Sequence, residues 1–546
     1  MEQAPLSFTG RRWNIHSRSA SHDFSDLLAK ERMIHRGTLS EQMRLSNAML
    51  FAEMGRAVGR IQEAVSRKER VGIFGDYDAD GITGAVQLTR AFRRRGIDPL
   101  VYLPHREREG YGLKQESIDS IARHNITLLI TVDTGINAHE EIEYASSKGM
   151  NVIVTDHHVV THGRPPAYAV LHPLVPSAFP NEHLTGSGVA LMLVRALEQA
   201  EGNDVWEGIE EDLVLAAIGT VADMGALKSE NRTLVMYGLD CARRLPSSSA
   251  LKVLMDQARI DAPLMTSTDI GFRLAPRINA SGRMADPRIA FDALLGDRDA
   301  LRQLEELNNQ RKILTQKLYQ NLRAQVHEDL FLCFASQEFP AGIVGLLSGK
   351  LTEEFGRPSM VASVRNGMAT ASLRSVSGIS VIELLQEKRI LPHLLRFGGH
   401  SQAAGCTMKD ASFPLVAKLL NDILRGRGLS REDLAPTLHL EGSLSREFLT
   451  MDFAKALFSL SPFGEGNPEP LFLIPNAELS MMRCVGNEDS HLSCLIFGKK
   501  GIGFGMGSML QQLGTKIDLA CHLSHQTWNG REEIQLVIKD IRKSQM

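Results

Sequence analysis

The stretch VGIFGDYDADG, residues 71–81, decides the fold. Its first four residues form a short apolar run that is typical of a buried strand. Three aspartates then alternate at Asp76, Asp78 and Asp80, and Gly81 allows a tight turn into the helical segment that follows. A strand that passes through an acidic turn into a helix is the first half of a βαβ unit.

The same alternation of strands and helices continues downstream. Three more short apolar runs predict strands, at 99–103 (PLVYL), 127–132 (TLLITV) and 151–155 (NVIVT). Helical segments lie between them, among them ITGAVQLTRAFRRR and HEEIEYASSK. We therefore predict an α/β fold with a mainly parallel sheet, in which ligands bind outside the carboxyl ends of the strands.

Acidic and imidazole side chains follow these strands at the ends where ligands bind. Asp133 follows TLLITV, and Asp156, His157 and His158 follow NVIVT. Asp223 ends the apolar helix EDLVLAAIGTVAD, where a carboxylate is unfavourable for the helix dipole. Each residue alone is more often a cap or a structural side chain. Their recurrence at equivalent strand ends favours a single functional site.

The residue types at these ends indicate a metal site. Three carboxylates within five residues repel one another, and a divalent cation offsets that repulsion. A calcium EF-hand would need a helix before the loop and a bidentate glutamate in it, whereas a strand precedes this loop. Carboxylates with imidazoles favour Mn²⁺ or Mg²⁺, and the number of ligands predicts two ions. Such a site hydrolyses phosphoesters or phosphoanhydrides.

Composition limits the class of protein. The chain has 546 residues, 43% of them apolar and 23% charged, which is typical of a globular protein with several domains. A net charge of −3 excludes a blanket attraction to nucleic acid of the histone kind. We expect no membrane span and no export signal, since no apolar run is long enough. Six cysteines without a C-x-x-C pair predict free thiols in a cytoplasmic protein.

Changes of pattern along the chain predict its domains. Leucines at helical spacing over 297–330 predict a connecting helix, although a helix packed within the first domain was the alternative. Asn529-Gly530 between two alternating segments predicts a hairpin in a small C-terminal barrel. A helix is also predicted over 40–65. The predicted parts are an N-terminal arm (1–50), a catalytic domain (51–296), the connecting helix, a second α/β domain (331–430) and the barrel (435–546).

Four motifs, taken in order, resemble a known superfamily. GDYDADG, TVDTG, DHH and TVADM resemble the motifs of the DHH phosphoesterases, and FGGHSQAAG resembles the GGH motif of their associated DHHA1 domain. Further segments are similar to the single-strand-specific exonucleases of that superfamily: PHREREGYGL, APRINASGRM, GIVGLLSGKLTEEFGRP, ASLRS and SPFGEGNPEPLF. The resemblance covers about residues 70–546 and implies a DHH domain, a DHHA1 domain and a C-terminal OB-fold.

The resemblance also implies an activity and a partner. It implies an exonuclease that degrades single-stranded DNA from 5′ to 3′ into mononucleotides during recombination and repair. Single-strand-binding protein and a helicase are the implied partners of a monomer. Two alternatives remain, a DHH phosphatase or short-oligonucleotide hydrolase, and a catalytically inactive replication scaffold. The length of the chain argues against the first, and the presence of all the acidic ligands argues against the second.

Individual roles are likewise implied by the resemblance. Asp133, His157 and His158 would be the catalytic residues. Asp133 would bridge the two ions, His158 would either support the ligands or contact the scissile phosphate, and His400 would contact substrate phosphate from the second domain. Arg106, Arg374 and His400 have plainer alternatives: solvation, pairing with a carboxylate, and packing. The implied metal ligands are Asp76, Asp78, Asp80, Asp133, His157 and Asp223; the implied 5′-phosphate contacts are Arg106, Ser372 and Arg374; the implied strand contacts are Asn279 and Arg283; and the aromatics available to bases are Phe463, Phe472, Phe497, Phe504 and Trp528.

Overall fold

The computed structural model describes residues 6–34, 45–175, 178–203, 206–513, 517–528 and 531–544, with only the backbone described for 526–528 and 531. The chain divides into two compact units. We call residues 37–314 and 462–467 the motif unit, because it contains the four acidic motifs. We call residues 1–36, 315–461 and 468–546 the terminal unit, because it contains both ends of the chain.

The chain starts in the terminal unit with strand β1 (Arg12–Ile15) and helix α1 (Phe24–Glu31). The motif unit then opens with a 3₁₀ turn, Ala48–Leu50, and helix α2 (Met54–Ser66). The single helix predicted over 40–65 is wrong in its first half. Asn47 and Phe51 have extended backbones, so helical geometry is broken before Met54, while residues 40–44 lie outside the described part.

A five-stranded parallel sheet forms the centre of the motif unit, as predicted. The strand order is β3-β2-β4-β5-β6, and every neighbouring pair is parallel. The sequence did not predict β6, which has only three residues. The strands are β2 (Val71–Gly75), β3 (Leu100–Tyr102), β4 (Leu128–Val132), β5 (Asn151–Thr155) and β6 (Ala169–Leu171); the helices between them are α3 (Ala79–Arg94), α4 (Gln115–Ala122) and α5 (His139–Ser147).

Helices complete the motif unit. Helix α3 packs against α6 (Gly186–Ala200) and α7 (Glu210–Ala222), which are both buried along most of their length. At the end of α3, Arg93, Arg94 and Arg95 form ion pairs with carboxylates. The helices are α6 (Gly186–Ala200), α7 (Glu210–Ala222), α8 (Ser229–Arg243), α9 (Ala250–Gln257), α10 (Ser267–Asp269), the π-helical turn Ile270–Leu274, α11 (Ala275–Met284) and α12 (Arg288–Leu294).

The predicted connecting helix is helix α13, Arg298–Arg323, with 26 residues. At about 1.5 Å per residue it is roughly 39 Å long. The division between the two units falls inside this helix, between Leu314 and Thr315, so that α13 joins them along the chain. No helix in the described part of the chain is both long and apolar enough to cross a bilayer.

A mixed five-stranded sheet follows in the terminal unit. Its order is β10-β11-β9-β8-β7, with β7 and β8 parallel and the remaining pairs antiparallel. Its elements are β7 (Leu332–Ser336), α14 (Val344–Phe355), β8 (Ser359–Arg365), β9 (Met368–Arg374), α15 (Val381–Gln386), β10 (Leu394–Gly399), β11 (Ala403–Lys409) and α16 (Phe413–Gly426).

The last part of the terminal unit is a six-stranded sheet in the order β13-β17-β18-β16-β15-β14. The predicted closed barrel is not seen: the outermost strands, β13 and β14, are separated in sequence only by Glu478 but do not pair with each other in the described sheet. The predicted hairpin is confirmed by the antiparallel pairing of β17 and β18, while its turn, Asn529-Gly530, lies outside the described residues. The elements are β12 (Thr437–Leu440), α17 (Met451–Phe458), β13 (Phe472–Ala477), β14 (Leu479–Val485), β15 (His491–Ile496), β16 (Lys499–Gly503), β17 (Ile517–Trp528) and β18 (Arg531–Lys543).

The N-terminal segment folds together with these C-terminal strands. Strand β1 pairs in parallel with β12. The indole Nε1 of Trp13 donates to Oδ2 of Asp540 at 2.7 Å, and Phe24 packs against Phe453 and Phe472. Residues 12–31 are therefore structural parts of the C-terminal domain. All six cysteines are unpaired, as predicted.

Candidate metal centre

The carboxyl ends of three parallel strands bring the acidic motifs together. Asp76 follows β2, Asp133 follows β4, and Asp156 follows β5. The three strands are neighbours in the sheet, so these side chains share one edge. Asp223 is the residue that caps the C-terminus of α7, and it reaches the same place.

Two of the aspartates are held by helix N-termini. The Asp78 side chain caps α3 and accepts hydrogen bonds from the backbone N–H groups of Asp80 and Gly81, at 3.0 and 3.1 Å. Asp80 accepts from the N–H groups of Gly186 and Ser187 at the start of α6, at 2.6 and 3.0 Å. Helix N-termini stabilise negative charge. Both carboxylates are therefore fixed in position.

Asp133 has a left-handed backbone, with φ of 61°, which aspartate tolerates better than most residues. Its N–H donates to the carbonyl oxygen of Thr155 at 2.9 Å. The start of α6 lies against it, because a Cβ atom added to Gly186 would be 2.5 Å from Cβ of Asp133. A larger residue at 186 would displace this carboxylate. The backbone of two elements therefore determines where Asp133 points.

The ligand atoms form three overlapping groups. Within each group, the donor atoms lie no more than 4.8 Å from one another. Asp133 and His157 each belong to two groups, and the six predicted ligands all appear in at least one. The groups are Asp76, Asp78 and Asp133; Asp80, His157 and Asp223; and Asp133, His157 and His158.

The electrostatics of the site favour either protonated carboxylates or a bound cation. Burial raises the pKa of Asp76 and Asp133 well above the usual range, and the neighbouring carboxylates raise it further. Burial, together with Asp80, raises the pKa of Asp223 to about 8. Oδ1 of Asp76 is buried and has no hydrogen-bond partner among the described residues. A buried cluster of carboxylate oxygens is a suitable ligand set for a divalent cation such as Mn²⁺ or Mg²⁺.

Asp156 positions His158 and was not assigned a role from the sequence. Its carboxylate accepts hydrogen bonds from the backbone N–H groups of Ile136, His157 and His158. Nδ1 of His158 lies 2.8 Å from Oδ1 of Asp156. Burial opposes the charged imidazole, but this contact outweighs it and raises the pKa of His158 to about 9. Asp156 itself, although buried, has a pKa lowered to about 2 by the His158 contact.

Tyr111 is a second residue that the sequence reasoning missed. Its hydroxyl donates to the backbone oxygen of Asp133 at 3.3 Å and lies 3.2 Å from Nδ1 of His158. In the sequence, Tyr111 was noted only as part of the segment PHREREGYGL, without a role of its own. A single tyrosine in a charged loop carries no spacing signal, and only the folded chain brings it beside the DHH motif.

The three predicted substrate contacts of the motif unit lie close to the acidic turn. The guanidinium of Arg106 sits 4.2 Å above the ring of Tyr77, and its Nε is buried without a hydrogen-bond partner among the described residues, so Arg106 is not merely solvated. Asn279 accepts a hydrogen bond from the N–H of Ala79 at 2.9 Å. Arg283 is half-buried, and its charge acts on Tyr77.

The other predicted contacts belong to the terminal unit. Nη1 of Arg374 donates to Oγ of Ser372 at 3.0 Å, so these two side chains form a pair on strand β9. A Cβ atom added to Gly345, in the first turn of α14, would lie 3.2 Å from that Oγ. His400 follows β10 and is exposed, which excludes the alternative that it serves packing.

The aromatic residues of the C-terminal domain are divided between core and surface. Phe472 is fully buried, whereas Phe504 is 62% exposed beside His491. Phe497 lies beside the guanidinium of Arg446. Phe463 belongs to the motif unit, where its backbone oxygen accepts from Ser267. The side chain of Trp528 lies outside the described part.

Three protein families match separate parts of this chain. The DHH family, N-terminal domain, matches residues 70–220. The DHHA1 domain matches residues 327–426, and the RecJ OB domain matches residues 440–540. The three matches follow one another in the order that the sequence motifs predicted.

Curated relatives and solved structures match most of the chain. The single-stranded-DNA-specific exonuclease RecJ of Escherichia coli is 32% identical, over 89% of this chain and 86% of the relative. That of Bacillus subtilis is 34% identical over 90% of this chain, which spans 64% of the relative's length. Crystal structures of Thermus thermophilus RecJ with Mn²⁺ and with Mg²⁺ match 98% of this chain, at TM-scores of 0.83 and 0.77 and identities of 28% and 27%. The matched regions cover 80% and 79% of the two Thermus thermophilus chains.

Proposed function

The chain belongs to the RecJ family of single-stranded-DNA-specific exonucleases, and from this we propose that it removes nucleotides from the 5′ end of single-stranded DNA by metal-dependent hydrolysis. The products are mononucleotides. One observation carries the proposal: the six acidic and imidazole ligands predicted from the motifs converge at one edge of the parallel sheet.

Two divalent cations fit the residues at this edge. Asp76, Asp78 and Asp133 form one group of donors, Asp80, His157 and Asp223 form another, and Asp133 lies close enough to serve both. When bound, the cations activate water and neutralise the charge that develops on the phosphate. The protein's own part is to bring the six donors together, with Asp78 and Asp80 fixed by backbone N–H groups at helix N-termini.

We assign His158 to the phosphate rather than to a metal. Asp156 keeps its imidazole charged and holds Nδ1, so that the remaining N–H is available to an anionic oxygen. The hydroxyl of Tyr111 lies beside the ring, 3.2 Å from the same Nδ1 and 3.4 Å from Nε2. A charged donor held in one orientation stabilises negative charge that develops during the reaction.

We assign side chains of both units to phosphates of the DNA strand, taking each unit by itself. In the motif unit we assign Arg106 and Arg283 to phosphate oxygens, with Asn279 fixing the turn that carries Asp78. In the terminal unit we assign Ser372 and Arg374 to the 5′-terminal phosphate and His400 to a phosphate further along. Arginine suits this role because its planar fork of donors matches a phosphate.

Several wider assignments complete the proposal. We propose that the protein acts as a monomer in the cytoplasm, in recombination and DNA repair. A helicase would supply the single strand, and single-strand-binding protein would keep it unpaired. The C-terminal OB-fold would hold the strand beyond the active site, with exposed Phe504 available for base stacking.

The test uses oligonucleotides labelled at the 5′ or the 3′ end, single-stranded or in duplex, with Mn²⁺, Mg²⁺ or chelator. We expect labelled mononucleotide to appear first from the 5′ end of single strands, and no cleavage in chelator. The Asp133→Asn variant, purified identically, controls for contaminating nuclease. Release from 3′ ends, equal digestion of duplex, or cleavage by the variant would contradict the proposal.

A further inference from the structure

The end of helix α7 carries a methionine where glycine is usual. The N–H of Met224 bonds to the oxygen of Val221, and the N–H of Gly225 bonds to the oxygen of Thr220. These two bonds form a Schellman motif, whose first residue beyond the cap is left-handed and most often glycine. Met224 occupies that position with φ of 56°. A side chain there is unfavourable for the backbone.

The side chain of Met224 gains little from packing. It is 68% exposed, although it directly follows the proposed ligand Asp223. Large apolar side chains are costly in water, and backbone strain of this kind tends to persist where it serves a function. An unfavourable backbone and an exposed apolar side chain therefore coincide at the rim of the metal centre.

A second exposed apolar residue lies next to the same turn. Phe272 is 80% exposed and belongs to the π-helical turn Ile270–Leu274, a type of turn that is frequent at functional sites. A Cβ atom added to its neighbour Gly271 would lie 3.6 Å from Cγ1 of Val221. Val221 accepts the hydrogen bond of Met224. The π-helical turn and the end of α7 thus pack together, with both apolar side chains directed to solvent.

We propose that Met224 and Phe272 form an apolar ledge on which one unpaired base of the substrate rests while its neighbouring phosphate occupies the metal centre. This inference rests on the proposed function. The occupant is a base because the ledge continues from Asp223, where the strand must lie. A phenyl ring stacks on the face of any base, and a methionine adapts to its shape. Bases in duplex are already stacked and paired, so the ledge favours single strands.

The first experiment separates substrate binding from chemistry in the full-length protein. Loss of a base–aromatic stack worth roughly 1–3 kcal/mol corresponds to about a five- to hundredfold rise in KM for Phe272→Ala. We expect kcat at saturating substrate and Mn²⁺ affinity to stay within about twofold of wild type. Phe272→Tyr should restore KM. Leu415→Ala, which also removes an exposed apolar side chain, should match wild type.

Met224→Gly distinguishes a functional methionine from a structural one. Glycine suits the left-handed position, so the melting temperature should stay the same or rise. KM should nevertheless rise several-fold. An unchanged KM, whatever the melting temperature, would overturn the role of Met224.

The second experiment finds the base itself, without cleavage. Oligonucleotides that carry 2-aminopurine at single positions are titrated with protein in chelator, and stacking is read as fluorescence quenching. We expect strong quenching at one position near the 5′ end, lost in Phe272→Ala. In Mn²⁺, an abasic residue at that position should abolish the KM difference between wild type and variant.

Two outcomes overturn the ledge: a wild-type KM for Phe272→Ala on every substrate, or an equal KM defect whichever base is missing. Failure of the proposed function looks different. In that case wild-type protein does not release nucleotides from any single strand in Mn²⁺, whatever residue 272 is.

Discussion

The imidazole Nε2 of His157 lies 3.0 Å from Oδ1 of Asp133. The same nitrogen is 3.5 Å from Oδ2 of Asp223, so one imidazole approaches carboxylates from a strand end and from a helix end. Burial lowers the pKa of His157, which keeps the ring neutral, the form that ligates metals. The contact between His157 and Asp133 therefore joins the two groups of donors, and both residues become critical to the site.

Asp133→Asn should abolish hydrolysis while leaving single-strand binding intact. Asparagine keeps the size of the side chain and tolerates the left-handed backbone, but it removes the charge that two groups of donors share. We expect kcat to fall by a factor on the order of 10⁴, as for other essential catalytic groups. Rates and DNA affinity are measured on the same preparation.

The same variant has a second readout. In wild type, Mn²⁺ should raise the melting temperature, because only the folded state binds it. In Asp133→Asn that increase should be much smaller. Near-wild-type turnover, or an unchanged response to Mn²⁺, would contradict the assignment of Asp133.

Stability of the metal-free protein should fall as pH rises. The pKa of Asp223 is raised from 3.8 to about 8 by burial and nearby carboxylates, so the folded state holds protons that the unfolded state has released. Stability then decreases across the window between these values. The lowered pKa of His157 acts in the opposite direction, but Asp76 and Asp133 add to the trend of Asp223.

Thermal melting in chelator between pH 5 and pH 8.5 measures this effect. The melting temperature should decline with pH in chelator, and Mn²⁺ should remove the decline by stabilising the charged carboxylates. Asp223→Asn is the matched control and should flatten the slope in chelator. A flat profile for wild type would mean that the carboxylates are compensated by something other than a cation.

The strand ends and their ligands were predictable because both patterns are local. NVIVT predicts a strand with the observed bounds, and Asp156 follows it directly in sequence. Helix α7 is largely apolar after its first turn, which predicts burial, and its C-terminal Asp223 conflicts with the dipole, which marked it as functional.

Contacts that depend on tertiary packing were not predictable. Tyr111 reaches Asp133 across 22 residues, and Trp13 reaches Asp540 across 527 residues. Strand β1 has only four residues, which is too few for a periodic signal. The sequence therefore did not predict a strand in the N-terminal segment. The left-handed Met224 likewise carries no signal in the sequence, since glycine is the residue expected there.

Asp156→Asn should weaken both folding and catalysis. An amide offers one acceptor where the carboxylate offers two, so at least one buried N–H would lose its partner, at a cost of about 1–3 kcal/mol. The pKa of His158 should drop from its value of about 9, because the partner that raises it has lost its charge. The alkaline limb of the kcat profile should therefore move to lower pH.

Tyr111→Phe is the comparison for Asp156→Asn. It removes the hydroxyl contact to His158 but keeps the ring, so kcat should fall only modestly and the alkaline limb should stay in place. An unshifted limb in Asp156→Asn would show that His158 is not the group whose charge matters.

Arg374→Ala should impair digestion of 5′-phosphorylated ends more than of 5′-hydroxyl ends. A charge-assisted hydrogen bond to phosphate is worth roughly 1.5–3 kcal/mol, which is about ten- to a hundredfold in affinity. Arg374→Lys keeps the charge but loses the fork of donors, so its defect should be intermediate. Equal losses on both kinds of end would mean that Arg374 serves strand binding in general.

Removing the OB-fold should leave the metal centre competent, but the N-terminal segment must be removed with it. In a chain of residues 1–434, strand β1 loses its partner β12, and Trp13 and Phe24 lose the residues that cover them. That chain should aggregate or melt at lower temperature. A chain of residues 45–434 does not contain Trp13 or Phe24, so it exposes neither side chain, and it keeps every proposed metal ligand.

We expect the chain of residues 45–434 to be folded, to bind Mn²⁺ and to cleave short oligonucleotides. Its affinity for long single strands should fall, and so should the salt dependence of binding, because fewer phosphates are neutralised. Ser267 and Leu227 lose backbone acceptors from residues 462–467, but those groups become accessible to water, which replaces the hydrogen bonds. Circular dichroism and melting accompany the assays. A folded, Mn²⁺-binding chain that cleaves no strand of any length would show that the C-terminal domain takes part in the chemistry and does not serve strand binding alone.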